Sequence, residues 1–113
     1  GLLEELEEKL MDAGSAVAGC GGAFAYLFLE ALADGGVYAG LPRAKAQRYA
    51  AQMLLGAAKL ALASDDHTGA LKDAVCSPGG TTIAGVRALE EHGFRAAAMD
   101  AVIAAYARTK ELG

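Results

Sequence analysis

Apolar residues recur at helical spacing along most of the chain, and no segment alternates convincingly with the period of a β-strand. Residues 3–12 place Leu3, Leu6 and Leu10 on one helical face. Acidic residues crowd the start of this segment, which suits the positive end of a helix dipole. The small residues at 14–22 then predict a break in helical continuity.

The segment that follows is apolar on nearly every side. From Ala23 it reads AFAYLFLEALADGGVYAG, and its two charged positions, Glu30 and Asp34, share one face at a spacing of four residues. Such a helix has to be buried on most of its sides. Gly40 predicts its end, and Pro42 suits the first turn of the next helix.

The rest of the chain also predicts helices, separated by glycine and proline. In chain order these are a long helix at residues 43–64, a turn at 65–69, a short helix at 70–75, a break at 77–80, a helix capped by Thr81 or Thr82 that runs to His92, and a last helix at 94–112. Residues 1–113 therefore predict one all-α domain of about five helices. The apolar surface of these helices is more than so short a chain can bury, because small domains leave a large share of their surface exposed. We therefore expect an obligate oligomer, with a symmetric dimer as the default.

Composition and charge exclude several classes of partner. Hydrophobic residues make up 54% of the chain, and much of this share is alanine, which favours helix. The net charge of −4 and the scattered basic residues argue against a nucleic-acid partner. The uncharged stretch at residues 13–29 is short for a membrane span, so we interpret it as a buried core helix and expect no membrane contact.

Cysteine and histidine usage predicts no metal site. Cys20 and Cys76 form no CxxC pair, and neither His67 nor His92 lies near a cysteine. A soluble acidic chain without a signal peptide favours the cytoplasm, where thiols stay reduced. Because the first residue is Gly1 rather than methionine, we expect a piece of a longer protein.

The most informative local feature is CSPGGTT at residues 76–82. Two adjacent glycines just before a helix allow several backbone N–H groups to point one way at the positive end of the dipole, which is an anion-binding geometry. Ser77, Thr81 and Thr82 add hydroxyl groups. A plain helix stop followed by a turn and a threonine cap explains the same residues without a ligand, and the residues alone leave both interpretations open.

Two other features are weaker candidates for a site. Residues 19–22, Gly-Cys-Gly-Gly, resemble the first half of a dinucleotide fingerprint, but Phe24 stands where a glycine is needed and no strand precedes it. Glu30 and Asp34 have no histidine nearby and no third ligand, so we interpret them as a polar patch rather than an acid–base pair or a metal site.

One stretch is specific enough to resemble a family. LKDAVCSPGGTTIAGVRALEEHGF, at residues 71–94, resembles the signature region of pyrroline-5-carboxylate reductases, the last enzymes of proline biosynthesis. EALADGGVYAGLPR at 30–43, AAQMLLGAAKL at 50–60 and AYARTKELG at 105–113 fit the same family in the same order. EEKLMDA at the start resembles the stretch that leaves the cofactor domain, so residues 1–13 are expected to be a remnant of that connection.

The resemblance implies an oxidoreductase of two domains. An N-terminal Rossmann domain would bind NADPH or NADH, and a C-terminal helical domain would interlock with that of a second subunit. The implied assembly is a homodimer, and five dimers form a decamer in many such enzymes. Hydride passes to the C=N carbon of 1-pyrroline-5-carboxylate and gives L-proline. This chain corresponds to the helical domain alone, which is expected to be inactive by itself and to bind no nucleotide.

The resemblance also assigns the loop at residues 77–82. It is similar to the family loop that receives the substrate carboxylate. This similarity favours the anion-site interpretation over the plain helix stop. The implied substrate-binding residues are Ser77, Gly79, Gly80, Thr81 and Thr82. Thr82 is the best single side chain and the candidate catalytic residue, although a bound water is an equally open source of the proton for the imine nitrogen.

The glycine loop departs from the family pattern. Gly19, Cys20 and Gly21 are implied to lie on the nicotinamide side of the pocket. Family members carry a serine where Ala18 stands and a proline where Gly22 stands. Relaxed constraint of this kind also fits a second hypothesis, in which the chain is a stand-alone helical oligomerisation module without catalytic activity.

Overall fold

The computed structural model describes residues 6–113, and every regular element in that range is helical, which confirms the predicted all-α class. Leu3, assigned above to the first helical face, lies outside the described residues. After a short 3-10 turn at Glu8–Leu10, the helices are α1 (Met11–Ala18), α2 (Gly21–Tyr38), α3 (Arg43–Ala63), α4 (Thr68–Val75), α5 (Thr81–Glu91) and α6 (Phe94–Leu112).

The predicted break at residues 14–22 is wrong for most of its length. Helix α1 runs through Gly14, and the interruption before α2 is confined to Gly19 and Cys20. The helix tolerates Gly14 because Leu6 packs against it, so closely that a Cβ at position 14 would lie 2.8 Å from the Leu6 Cδ1 atom. Contact with a neighbouring side chain therefore overrides the low helix propensity of glycine.

Two compact units divide the chain, and Ala16 is the buried residue of the first. Among the described residues, this unit comprises residues 6–26 and 94–113, and within it α1 packs against α6. Ala16, on α1, has no exposed surface. The second unit, Leu27–Gly93, contains most of α2 together with α3, α4 and α5.

In the second unit, α2 ends at the predicted glycine. Gly40 has a φ of +110°, which a residue without a Cβ adopts readily. The Leu41 N–H donates to the Gly36 carbonyl at 2.9 Å, and the Gly40 N–H donates to the Val37 carbonyl at 3.0 Å. These two hydrogen bonds form a Schellman motif, which satisfies the last carbonyl groups of α2 and turns the chain toward α3.

Small residues allow α2 and α3 to approach closely beyond this turn. Ala33 on α2 and Ala46 and Ala50 on α3 are buried. A Cβ added to Gly36 would lie 3.2 Å from the Ala46 Cβ and 3.3 Å from a methyl group of Leu41. The corner between the two helices is therefore packed to the limit that glycine and alanine permit.

A polar cluster lies beside this corner. Arg43, the first residue of α3, forms an ion pair with Asp34 of α2. Both side chains are about half exposed, so the pair contributes less than about 1 kcal/mol to stability. A cavity of about 540 Å³ opens next to it, lined by Leu29, Glu30, Ala33, Asp34, Arg43 and Gln47. The pairing supports the interpretation of Glu30 and Asp34 as a polar patch.

The chain buries little of its apolar surface. Among the described residues, the buried hydrophobic side chains are the four alanines at positions 16, 33, 46 and 50. The accessible surface is 9028 Å², whereas a folded monomer of 11.4 kDa is expected to expose about 5,800 Å². The prediction that the segment from Ala23 is buried on most sides is therefore not met within one chain. Leu27 and Leu62 are 66% and 73% exposed.

The N-terminal helical stretch, Glu8–Tyr38, is long and apolar enough by composition to cross a membrane. Its most apolar window of 18 residues has a mean hydropathy of 1.6, and 11% of that window is buried inside the chain. The interface of an obligate oligomer has a similar composition, because it resembles a domain core cut in half.

The close contact at Gly36 gives the first prediction. Gly36→Val should lower the free energy of unfolding by about 1–3 kcal/mol relative to Gly35→Val, because the new side chain meets Ala46. Gly35 is the matched control, since a Cβ there has no atom within 4 Å. Urea denaturation at equal protein concentration measures the difference. Equal stability of the two variants would contradict the close α2–α3 contact.

Candidate functional site

The loop between α4 and α5 is a tight turn. The Gly80 N–H donates to the Ser77 carbonyl at 3.1 Å, which closes a four-residue β-turn. Pro78 occupies the second position of this turn, and Gly79 follows with a φ of +67°. Proline followed by a residue of positive φ is the pattern of a type II turn, so the two residues have distinct and necessary roles.

Gly80 is needed for a different reason. Its φ of −83° and ψ of 179° are extended backbone that any residue adopts, so conformation does not select glycine there. A Cβ at position 80 would instead overlap the Ser77 Oγ atom and lie 3.2 Å from the Ser77 carbonyl oxygen. The Ser77 hydroxyl is therefore folded back over Gly80, at the start of α5.

The prediction that Thr81 or Thr82 caps α5 is wrong. Gly80 is the N-cap residue, and the two threonines are the first two residues of the helix. Glycine has no side chain that could accept a hydrogen bond from the first N–H groups of α5, which belong to Thr81, Thr82 and Ile83. The turn thus ends at the positive end of a helix whose backbone donors have no capping side chain, which suits an anion.

The side chains of the loop are accessible. Ser77, Thr81 and Thr82 are exposed, whereas Gly80 and Cys76 are partly buried. The structure thus brings all five predicted substrate-binding residues into one turn and the first helical positions after it. No group of three or more His, Cys, Asp or Glu side chains within residues 6–113 is arranged to hold a metal ion.

The predicted nicotinamide-side residues lie at the junction of α1 and α2. Gly19 is the C-cap of α1, Cys20 is partly buried, and Gly21 begins α2. Gly22, which replaces the family proline, is the second residue of α2 and would have no atom within 4 Å of an added Cβ. The first turn of a helix tolerates proline, so this departure leaves the local geometry intact.

The segment before α4 contains a capping interaction that the sequence analysis missed. The His67 Nδ1 atom accepts a hydrogen bond from the Gly69 N–H at 2.9 Å, and α4 begins at Thr68 instead of Ala70 as predicted. Histidine is not among the usual N-cap residues, so the sequence predicted only a turn at residues 65–69 and no cap. The position of His67 close to the predicted start of a helix was the one feature of the sequence that could have indicated this cap.

Comparison with known proteins identifies the family of this chain. The sequence profile described as "Pyrroline-5-carboxylate reductase dimerisation" matches residues 8–112. The chain belongs to this family. It is 56% identical, over 113 residues, to the pyrroline-5-carboxylate reductase of Synechocystis, and 54% identical, over 112 residues, to that of Pisum sativum. These alignments cover 100% and 99% of this chain and 42% and 41% of the two relatives.

Solved structures give the same assignment. The pyrroline carboxylate reductase of Plasmodium falciparum, determined with NADP bound, superposes with a TM-score of 0.95 at 40% identity, covering 100% of this chain and 46% of that one. The reductase of Streptococcus pyogenes gives a TM-score of 0.92 at 40% identity and covers 96% and 42%. The chain therefore spans less than half the length of the reductases it matches.

The turn at residues 77–80 gives the second prediction. Gly79→Ala should lower the free energy of unfolding by about 1–2 kcal/mol, because a Cβ is strained at a positive φ. Gly85→Ala, inside α5, is the control and should be neutral or raise stability by up to about 1 kcal/mol, since a Cβ there has no close neighbour. Denaturant titration compares the two, and equal stability would contradict the left-handed turn.

Proposed function

We propose that this chain is the dimerisation and substrate-carboxylate domain of an enzyme that reduces 1-pyrroline-5-carboxylate to L-proline with NADPH or NADH. Membership of the reductase dimerisation family supports the enzyme class. The observation that carries the carboxylate assignment is the turn at residues 77–80, which ends at the uncapped N-terminus of α5.

The loop suits a small carboxylate in shape and charge. Backbone N–H groups of Thr81 and Thr82 supply two donors at the positive end of α5, and the Ser77 hydroxyl lies over Gly80 beside them. A carboxylate accepts several hydrogen bonds and is stabilised by the helix dipole. Holding this group at one end of the substrate would fix the position of the ring at the other, which lowers the entropic cost of reaching the transition state.

The reaction adds a hydride to the C=N carbon and a proton to the nitrogen, so the double bond becomes the C–NH bond of proline. When bound, the reduced nicotinamide supplies the hydride. Residues 6–113 contain no strand–turn–helix unit for its diphosphate, so we assign nucleotide binding to another part of the full enzyme. On this chain, the Thr82 hydroxyl is the candidate proton donor, either directly or through a water.

We further propose that the exposed helices interlock with those of a second copy, and that five such dimers assemble into a decamer. The accessible surface exceeds the expectation for a monomer of this size by about 3,200 Å², which is enough for an obligate interface. We also propose a cytoplasmic location, where the free thiols of Cys20 and Cys76 would stay reduced.

Removal of the Thr82 hydroxyl tests the carboxylate and catalytic assignments. In the full-length enzyme that carries this chain, Thr82→Ala should raise the KM for 1-pyrroline-5-carboxylate about tenfold, as expected for the loss of one hydrogen bond to a charged group. Thr68→Ala, an exposed threonine at the start of α4, is the matched control and should leave both kinetic constants unchanged. Unchanged KM and kcat in Thr82→Ala would refute the assignment.

A charge placed on the exposed apolar surface tests the oligomeric assignment. Leu62→Asp, at a position that is 73% exposed in the single chain, should weaken self-association at least tenfold, because burial of an unpaired charge costs roughly 2 kcal/mol or more. Gln52→Asp changes the charge equally at an exposed polar position of the same helix and should have a smaller effect. Sedimentation velocity measures both. A wild-type chain that stays monomeric would overturn the proposal.

The alternative hypothesis, an oligomerisation module without catalysis, makes a different prediction for ligand binding. A reductase domain should show chemical-shift changes confined to residues 77–82 when it is titrated with proline. An oligomerisation module should show none at millimolar ligand while remaining dimeric. The two outcomes separate the catalytic from the purely structural role.

A further inference from the structure

The imidazole of His67 forms the cap of α4. Its Nδ1 atom accepts a hydrogen bond from the Gly69 N–H at 2.9 Å. Its backbone carbonyl accepts hydrogen bonds from the Ala70 and Leu71 N–H groups, in the first turn of the helix, at 2.9 and 3.2 Å. An Nδ1 atom that accepts a hydrogen bond carries no proton, so this cap requires the ring hydrogen on Nε2. Side chain and backbone of one residue thus satisfy three of the first N–H groups of α4.

Gly69 is matched to this interaction. A Cβ at position 69 would lie 3.0 Å from Nδ1, which is tighter than most Cβ contacts, and 3.6 Å from the neighbouring ring carbon, which is ordinary contact. Gly69 does not have a positive φ, so backbone conformation does not explain the glycine. The close approach of the imidazole does explain it, which indicates that the ring is seated against the first turn of α4.

The cap lies at one end of a short and direct link to the carboxylate loop. Helix α4 has eight residues, or about 12 Å of helix. It ends where the Cys76 N–H donates to the Asp73 carbonyl at 3.1 Å, and Ser77 opens the turn immediately afterwards. A helix of two turns is marginal by itself, so its end groups contribute a large share of its stability. Loss of the cap at the first turn of α4 should therefore also destabilise its last turn, which precedes Ser77.

We propose that His67 is a positioning residue for substrate binding: its imidazole fixes the start of α4, and α4 in turn fixes the turn at residues 77–80. The inference rests on the proposed function for its kinetic consequence, but the mechanical link from the cap to the loop stands on this geometry alone. Substrate affinity should depend on the cap, whereas the chemical step should not, because His67 touches no reacting group.

The test uses three substitutions in the full-length enzyme. His67→Ala removes the acceptor, His67→Phe keeps an aromatic ring without an acceptor, and His67→Asn restores an acceptor of the preferred N-cap type. His92→Ala is the matched control, because His92 lies at the C-terminal end of α5 and caps no helix start. Hydrogen exchange is followed in peptides covering residues 64–76 and 77–83, together with KM and kcat for 1-pyrroline-5-carboxylate.

Loss of the cap should accelerate exchange about fivefold at both peptides in His67→Ala and His67→Phe, the factor that corresponds to one N-cap interaction. The KM should rise by about two- to fivefold with kcat unchanged, and His67→Asn should restore both readouts. Unchanged exchange at residues 77–83 in both cap-less variants, or an equal effect of His92→Ala, would overturn the inference. A wild-type enzyme without reductase activity would refute the proposed function instead, and the exchange data would still decide whether the cap holds the loop.

Discussion

The structure depends on one constraint: the chain carries more apolar surface than it can bury. Its buried hydrophobic residues, within the described range, are alanines, whereas leucine, isoleucine and tyrosine side chains remain exposed on the long helices. Alanine lets helices approach closely but removes little area from water, so it contributes little hydrophobic free energy. In the proposed dimer a second copy supplies the missing apolar surface, and folding and association are then one equilibrium. The description of the matched family as a dimerisation domain supports this arrangement.

The turn at residues 77–80, the proposed carboxylate site, obeys a separate and local set of rules. Its shape follows from Pro78, from the positive φ of Gly79 and from the contact between Ser77 and Gly80. None of these requires a hydrophobic core. A site built in this way keeps its geometry on a domain whose own interior is small, provided that the helices on both sides hold its ends.

Much of this organisation was predictable from the sequence because glycine and proline mark the helix ends. Gly40 and Gly93, both with positive φ, lie where the ends of α2 and α5 were predicted. The failures share one cause, which is that contacts with specific neighbours override residue propensity. Leu6 packs on Gly14 and preserves a helix that propensity would break. Similarly, Gly80 rather than a threonine is the N-cap of α5, because the preceding turn ends on it in an extended conformation.

The proposed use of backbone N–H groups as the anion donors has a consequence for sequence variation. Substitution cannot remove a backbone N–H except by introducing proline, so the donor set of α5 is insensitive to most changes at Thr81 and Ile83. What must be kept is the path of the chain into the helix, and this path depends on residues 77–80 and on whatever holds α4 in place. Constraint on the site should therefore extend along the chain toward α4 rather than outward to the side chains of the junction between α1 and α2. The departures at Ala18 and Gly22 are compatible with the proposed carboxylate site on this ground, since neither residue belongs to α4 or to the turn at residues 77–80.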